Sequence, residues 1–337
     1  MSNRWLLVET FGGRPGPSLI AVGSTPKKMV PLASVLGRGH NLELVTAAVA
    51  QVHRSEAPTE IESDDHHHRV IAHPLMAFTG LVHGAFVWVG GIDTEPPSRD
   101  LAGAWHFNLT TDTIGGSSEL LDLYGVLPEH RQTERATAEA FERLIPNSDA
   151  SAALAILVRS HPGDEHQAVW AIRRDDGQVR AGHLSCRAIE ETHEGQRQVV
   201  LRGITHDIGA ADETPAAPPP PILEQRLVES MAEPGAYRAL VNLKNFRILR
   251  WIDTPMPRLA WRHAPGSPAP DVWIHPEDEK LARQLSEDLS SGHAQASLRL
   301  ADIDGGWIPV TVVANIVLLD QHTTAGLFTL RLGPNDS

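Results

Sequence analysis

The run Asp64-Asp65-His66-His67-His68 is the densest group of metal-binding side chains in the sequence. Imidazole and carboxylate ligands together suit Zn, Ni or Cu. Consecutive side chains on an extended segment alternate between two faces, so three adjacent histidines rarely converge on one ion. We therefore interpret the run as an exposed polar loop that leads into a strand.

A second candidate group extends from His161 to His166 and contains two imidazoles and two carboxylates. Pro162, Gly163 and Asp164 within it are typical of a turn, because proline and glycine supply turn geometry and a short acid bonds nearby backbone. The segment also falls where a predicted helix gives way to a predicted strand. A turn is favoured over a metal site, and no metal is predicted.

Patterns for catalysis or a cofactor are weak. Cys186, the single cysteine, falls on the apolar face of a predicted strand, where its expected role is that of a small buried hydrophobe. The glycine run 115–118 lacks the lysine of a phosphate-binding loop, and the sequence contains no Gly-x-Ser-x-Gly motif. Haem held by one histidine is an alternative, but no spacing selects among His130, His161, His166 and His183. We expect that the protein is not an enzyme, and the alternative is an enzyme of unrecognised type. The sequence does not identify a cofactor.

One block of sequence occurs twice. Residues 145–149 and residues 274–278 are each followed by a predicted helix and a glycine, and the spacing from Asp149 to Gly163 equals that from Asp278 to Gly292. Three predicted strands follow each glycine. A unit of this length is typical of a duplicated domain.

The strands after the first block have one apolar face, because side chains alternate along a strand. The strands 165–173, 178–188 and 198–207 place five candidate pocket residues on such faces: Trp170, Ile172, Leu184, Cys186 and Leu201. With Tyr124 from an earlier helix they form the predicted lining of a small apolar pocket between sheet and helices. His206 and Asp207 end the last strand and precede a proline-rich spacer, so they are candidates for signal transmission.

The chain divides into three predicted domains and a linker. The domains are 1–92, 100–208 and 235–333, and the linker 209–234 contains Pro218–Pro221 and a short amphipathic helix, Ile222–Met231. That helix could pair with its counterpart in a second copy of the chain, as part of a homodimer, but it is too short to hold a dimer alone. The alternative is that it packs against its own C-terminal domain. The predicted fold class is α+β, with antiparallel sheets that have helices on one side.

The stretch from Gly163 to Asp207 resembles the PAS domain family in its order of helix end, strand, acidic-glycine turn, strand and closing strand. His275-Pro276-Glu277-Asp278 resembles an "HPxD" step that precedes the long helix in that family, whereas residues 145–149 lack the histidine. The resemblance implies tandem PAS-like domains with five-stranded sheets, and an N-terminal domain that is PAS- or GAF-like. The chain as a whole, from Asn3, is similar to an actinobacterial group of standalone tandem PAS-type sensors.

Composition limits the partners. A formal net charge of −13 argues against nucleic acid or an anionic membrane, because phosphate binding requires concentrated Lys and Arg. A single cysteine suits a reducing cytoplasm, and no apolar run is long enough to cross a bilayer.

These observations predict a cytoplasmic sensory protein without its own output domain. It would bind an unidentified small molecule, apolar or amphipathic, and report to an unidentified downstream signalling protein. The alternative is a scaffold whose pockets are filled by its own side chains.

Overall fold

The computed structural model describes residues 3–333 except 14–15, 112, 194, 216, 218–229, 231, 263–272 and 290–291. Pro218–Pro221 and almost all of the predicted helix Ile222–Met231 therefore lie outside the described residues. Contacts between residues divide the chain into two compact units. The first comprises residues 1–110, 114–133 and 161–218, and the second comprises 111–113, 134–160 and 219–337.

The first unit begins with a six-stranded antiparallel sheet in the order β3-β2-β1-β6-β5-β4. The elements are β1 Leu6–Glu9, β2 Ser18–Val22, β3 Thr25–Pro31, α1 Leu32–Leu36, α2 His40–Ser55, β4 Thr59–Glu62, β5 His68–Met76 and β6 Val82–Gly91. β3 and α1 were not predicted from the sequence. Pro26, Lys27 and Lys28 give β3 no apolar alternation, and α1 has only five residues.

Both faces of this first sheet are covered. Apolar residues recur at helical spacing along α2, and all five of its buried residues pack against the sheet: Leu44, Val45, Ala48, Val49 and Val52. The opposite face carries Trp5, Phe86 and Trp88, which pack in one cluster with Ile204. A β-carbon at Gly84 would lie 2.6 Å from Ile204 Cδ1, so glycine is needed for this close approach.

Ile204 belongs to a second sheet, whose order is β10-β11-β12-β7-β8-β9. The elements of this part of the chain are β7 Ala102–Asn108, β8 Thr113–Gly116, α3 Ser118–Leu123, β9 Glu134–Ala136, α4 Thr137–Phe141, α5 Ala150–Val158, β10 Glu165–Arg173, β11 Val179–His193 and β12 Gln196–Ala210. The sequence pattern predicts one long helix over Thr133–Leu144, but residues 134–136 form β9 and the helix runs only from Thr137 to Phe141. The Ala136 backbone N–H donates to the Glu139 carboxylate at 3.1 Å, a capping bond that begins the helix at Thr137.

The second unit is built on a five-stranded sheet in the order β14-β13-β17-β16-β15. The elements are β13 Ala236–Val241, β14 Ile248–Trp251, α6 Glu279–Asp288, β15 His293–Ala301, β16 Trp307–Leu318 and β17 Thr324–Leu332. Ala282 and Leu285 of α6 are buried in one core with Val310, Val312 and Phe328 of the sheet. Ala138 of α4 belongs to the same core.

The three sheets share one strand order. Without the edge strands β3 and β9, the three orders are β2-β1-β6-β5-β4, β8-β7-β12-β11-β10 and β14-β13-β17-β16-β15. When the five strands of each sheet are numbered along the chain, the order across the sheet is 2-1-5-4-3 in all three. The α+β class with antiparallel sheets is confirmed. The expectation of five strands is correct only for the third sheet, because β3 and β9 add an edge strand to the other two.

Candidate functional site: a groove beside helix α6

The predicted pocket residues of the second sheet are core residues. Trp170, Ile172, Cys186 and Leu201 are buried, whereas Leu184 and Tyr124 are half-buried. Side chains occupy the space above two glycines on the same face. A β-carbon at Gly182 would lie 2.2 Å from Ile172 Cδ1, and one at Gly203 would lie 2.1 Å from the Trp105 ring. Close packing at these points leaves no room for a ligand there.

Burial raises the pKa of the Cys186 thiol to about 12. The thiol therefore stays protonated near neutral pH, which is unfavourable for nucleophilic chemistry or metal binding.

His206 and Asp207 do not end their strand, because β12 continues to Ala210. The prediction placed the strand end too early, since Asp207 is held inside the ladder by a bidentate ion pair with Arg180 at 3.0 Å. His206 Nε2 lies 3.5 Å from Asp100 Oδ2. Both candidates for signal transmission are thus buried within the first unit.

The two histidine-rich segments are turns. Asp65 accepts hydrogen bonds from Ser63 Oγ at 2.5 Å and from the His67 N–H at 3.1 Å, and these bonds lower the pKa of the Asp65 carboxyl. Asp164 accepts from the His161 N–H at 2.8 Å. Within the part of the chain that the structure describes, no three His, Cys, Asp or Glu side chains are arranged to hold a metal ion.

An open groove of about 420 Å³ lies in the second unit, between α6 and the turn that joins β13 to β14. Its described lining combines apolar and charged side chains: Leu243, Lys244, Asn245, Phe246, Trp273, Ile274, Glu279, Ala282, Arg283, Ser286 and Glu287. A lining that combines apolar side chains with a few charged ones is suited to binding a small molecule.

The turn side of the groove is held by backbone bonds. Asn242 Oδ1 accepts from the Lys244 N–H at 3.0 Å, and the Asn242 carbonyl accepts from the Phe246 N–H at 2.7 Å. Phe246 has φ +58°, a left-handed conformation that is uncommon for a bulky residue. Such strain persists where surrounding structure imposes it, and it is concentrated at functional sites.

The helix side is positioned by the residues just before α6. His275 Nδ1 accepts from the Glu277 N–H at 3.2 Å, and Asp278 accepts from Arg299 Nε at 2.9 Å and Nη2 at 2.7 Å. The Arg299 guanidinium lowers the pKa of the Asp278 carboxyl to about 2. Because Arg299 lies on β15, this pair anchors the start of α6 to the sheet.

The floor of the groove is formed where Trp273 and Ile274 run beside β15. The Trp273 carbonyl accepts from the Ala301 N–H at 2.8 Å, and Ile274 bridges to Leu300. At the rim, Lys244 Nζ donates to the Val158 carbonyl of α5 at 2.9 Å, and Arg283 pairs with Glu279 at 3.2 Å. The groove was not predicted from the sequence. The "HPxD"-like block, residues 275–278, nevertheless contains the side chains that position the start of α6.

Three family models match the chain: Rv3651-like N-terminal over residues 4–98, Rv3651-like middle domain over 101–207, and Rv3651-like C-terminal domain over 221–337. A crystal structure of an uncharacterized protein from Mycobacterium tuberculosis is 30% identical, with a TM-score of 0.86 over 99% of this chain and 97% of that one. The chain belongs to the Rv3651-like family.

Other solved structures resemble this Rv3651-like chain only in part. A sensory box histidine kinase/response regulator from Burkholderia thailandensis E264 is 19% identical, with a TM-score of 0.25 over 33% of this chain and 79% of that one. An RNA-binding light-oxygen-voltage receptor is 10% identical, with a TM-score of 0.26 over 68% of this chain and 95% of that one. These two scores are too low to support an argument. No curated relative matches the sequence.

Each of the helices that the structure describes is too short or too polar to cross a membrane.

Proposed function

We propose that this Rv3651-like chain is a cytoplasmic sensory protein that binds a small amphipathic molecule in the groove beside α6 and reports to a partner protein. The observation that carries the proposal is the groove itself, which has an apolar floor and a charged rim. Such a lining suits a ligand with an apolar body and a polar end. The single cysteine and the PAS-like sequence features support the cytoplasmic sensory part.

We further propose that the three modules are PAS-like. The shared strand order supports this assignment, since a duplicated ancestor would leave the same order in each sheet. The resemblance of residues 163–207 and 275–278 to PAS sequences supports it independently.

A second candidate function is a scaffold that binds proteins and no small molecule. The filled face of the second sheet favours it, because Ile172 and Trp105 occupy the positions above Gly182 and Gly203. The two functions differ in whether the groove of the second unit takes a ligand.

The test is a thermal-shift screen of the full-length protein against fatty acids, haem and flavins, with native mass spectrometry of the purified protein. A ligand that binds only the folded state stabilises it by about 2.7 kcal/mol at a free concentration of 100 times Kd. Ser286→Trp would fill the groove and abolish the shift. Gln284→Trp, an exposed position on α6 outside the lining, is the matched control and should retain it.

Two outcomes would count against ligand binding. If no compound raises the melting temperature and no small molecule co-purifies, the scaffold is the better account. If a ligand binds equally well to the wild type and to S286W, the groove is not the binding site.

A further inference from the structure

A polar layer lies between the first and second sheets, both within the first unit. It contains Glu9, His83, His183, Arg187, Arg202 and His206, and we call it the polar seam. Its members come from β1, β6, β11 and β12. Apolar side chains surround it, including Phe11, Phe86 and Ile204. Charged and titratable groups are rarely buried together in this way without a structural or functional reason.

An ion network forms one end of the polar seam. Arg187 Nη2 donates to Glu9 Oε1 at 3.0 Å, Arg187 Nε donates to Glu165 Oε1 at 2.8 Å, and Ser18 Oγ donates to Glu9 Oε1 at 2.5 Å. The Arg187 and Glu9 side chains are 1% and 0% exposed. Arg202 donates to the Phe11 carbonyl at 3.0 Å and to Glu191 at 2.8 Å. Arg187 and Arg202 therefore each donate to groups on both sides of the polar seam.

His83 lies beside this network and is wholly buried. Its Nδ1 is 3.4 Å from the Gly203 carbonyl, and among the described residues its buried Nε2 has no hydrogen-bond partner. The charged and titratable groups that act on the His83 ring are Arg202 of β12 and His106 of β7, whose ring centroid lies 6.3 Å away. Burial, with the charge of Arg202 as a lesser cause, lowers the pKa of His83 to about 3.

His183 forms the other end with His206, its direct cross-strand neighbour. His183 Nε2 is 3.5 Å from Gln167 Nε2, and its buried Nδ1 has no partner among the described residues. The titratable group that faces this pair from outside the strands is Asp100, before β7, at 3.5 Å from His206 Nε2. From β3, the Lys27 carbonyl accepts from Gln167 Nε2 at 3.0 Å. Burial, and then the neighbouring His206, lower the pKa of His183 to about 4.

We propose that the polar seam is a proton-sensitive lock, which holds the first and second sheets together near neutral pH and lets them separate as the medium becomes acidic. The physical basis is that neither His83 nor His183 can take up a proton while it is buried beside Arg202 or His206. Separation of the sheets exposes both rings to water, where protonation is favourable. Protons therefore bind to the separated state and populate it.

The size of the effect follows from linkage. Consider a histidine whose pKa is the ordinary 6.5 when exposed and about 3 or 4 when buried. Lowering the pH from 8 to 5 then raises the equilibrium constant for separation of the sheets by about 30-fold. Two such histidines together give about 1,000-fold.

The experiment is hydrogen exchange of the full-length protein from pH 8 to pH 5, corrected for the intrinsic exchange rate at each pH. We expect the protection of β1, β6, β11 and β12 to fall about 100- to 1,000-fold. The third sheet serves as the internal reference, and its protection should change by less than about tenfold, because the polar seam lies in the other unit. His83→Phe with His183→Gln should remove most of the loss in the first unit.

The control variant is His130→Gln with His193→Gln, two exposed positions of the first unit, which should behave as wild type. If H83F/H183Q does not fold, the wild type still decides the matter through its urea unfolding. The free energy of unfolding should then fall between pH 6.5 and pH 5 with a slope that corresponds to uptake of about two protons. Full protection of β1 and β12 at pH 5, equal loss in the H83F/H183Q variant, or a slope near zero would each overturn the proposal.

Discussion

The Arg187 guanidinium contacts the Glu9 carboxylate at 3.0 Å, although 178 positions separate the two residues in the chain and both side chains are almost wholly buried. The contact joins β1 of the first sheet to β11 of the second. Removing Arg187 leaves the buried Glu9 carboxylate without a positive charge beside it, and removing Glu9 leaves Arg187 with Glu165 as its carboxylate partner. Replacing both by apolar residues removes both buried charges.

We therefore expect Arg187→Met alone to lower the free energy of unfolding by about 3–5 kcal/mol. Glu9→Leu alone should lower it by a smaller amount, because Arg187 keeps its bond to Glu165. The double variant E9L/R187M should be markedly less destabilised than the sum of the single effects. Urea unfolding of all four proteins, treated as a double-mutant cycle, measures the difference. Additive single effects would show that the two side chains do not act as a buried pair.

Gly203 is required by the Trp105 ring. A β-carbon at this position would lie 2.1 Å from Trp105 Cζ2, and the Trp105 indole also donates to Thr205 at 3.1 Å, which leaves the ring little freedom to move. Gly203→Ala should lower the free energy of unfolding by about 1–3 kcal/mol through overpacking. Gly306→Ala is the control, since no atom lies within 4 Å of its added β-carbon, and its effect should stay within about 0.5 kcal/mol. Equal effects in urea unfolding would contradict this account.

The pair between Asp278 and Arg299 stabilises the second unit mainly at pH values above the ordinary pKa of a carboxyl group. The folded-state pKa of about 2 is lower than the reference value of 3.8, so this stabilisation is present above pH 3.8 and is lost as the pH falls towards 2. Asp278→Asn should lower the free energy of unfolding by about 1 kcal/mol at pH 6, a modest value because the Arg299 side chain is 40% exposed.

The difference between wild type and D278N should shrink as the pH falls from about 3.8 towards 2 in urea unfolding experiments. Glu279→Gln, at the exposed pair with Arg283, is the control and should cost no more than about 0.5 kcal/mol. A difference that is constant with pH would show that Asp278 acts through packing rather than charge.

Cys186 should be unreactive in the folded protein. Its thiol is buried and its pKa is raised to about 12, so the thiolate that attacks a disulfide reagent is scarce and inaccessible. Ellman's reagent at pH 7.5 should label the native protein at least about 100-fold more slowly than the urea-unfolded protein. Rapid labelling of the native protein would mean that the second sheet opens readily at this strand.

Much of the local structure could be predicted from the residues. Alternation of apolar residues predicts strands over Trp307–Leu318 and Thr324–Leu332, which are the bounds of β16 and β17. Helical spacing predicts a helix over Leu42–His53, and α2 extends it by two residues at each end. These elements have a regular apolar period because one face of each is buried. β3 and α1 escaped prediction because neither has such a period.

The functional candidates could not be located in this way. The sequence analysis expected a pocket beside Trp170 and Cys186, but whether a face encloses a cavity depends on side chains that arrive from other elements, such as Trp105 above Gly203. The groove beside α6 likewise lies between two elements that are distant in the chain, the helix and the turn that joins β13 to β14.

By itself, the sequence determined the class of fold, because alternation and helical spacing are local properties of consecutive residues. Only the tertiary structure decided the environment of its ionisable groups. His83, His183, Arg187 and Glu9 look like ordinary surface residues in the sequence, and they became buried because two sheets pack face to face across them. Burial and long-range pairing depend on residues far apart in the chain, which no local pattern encodes.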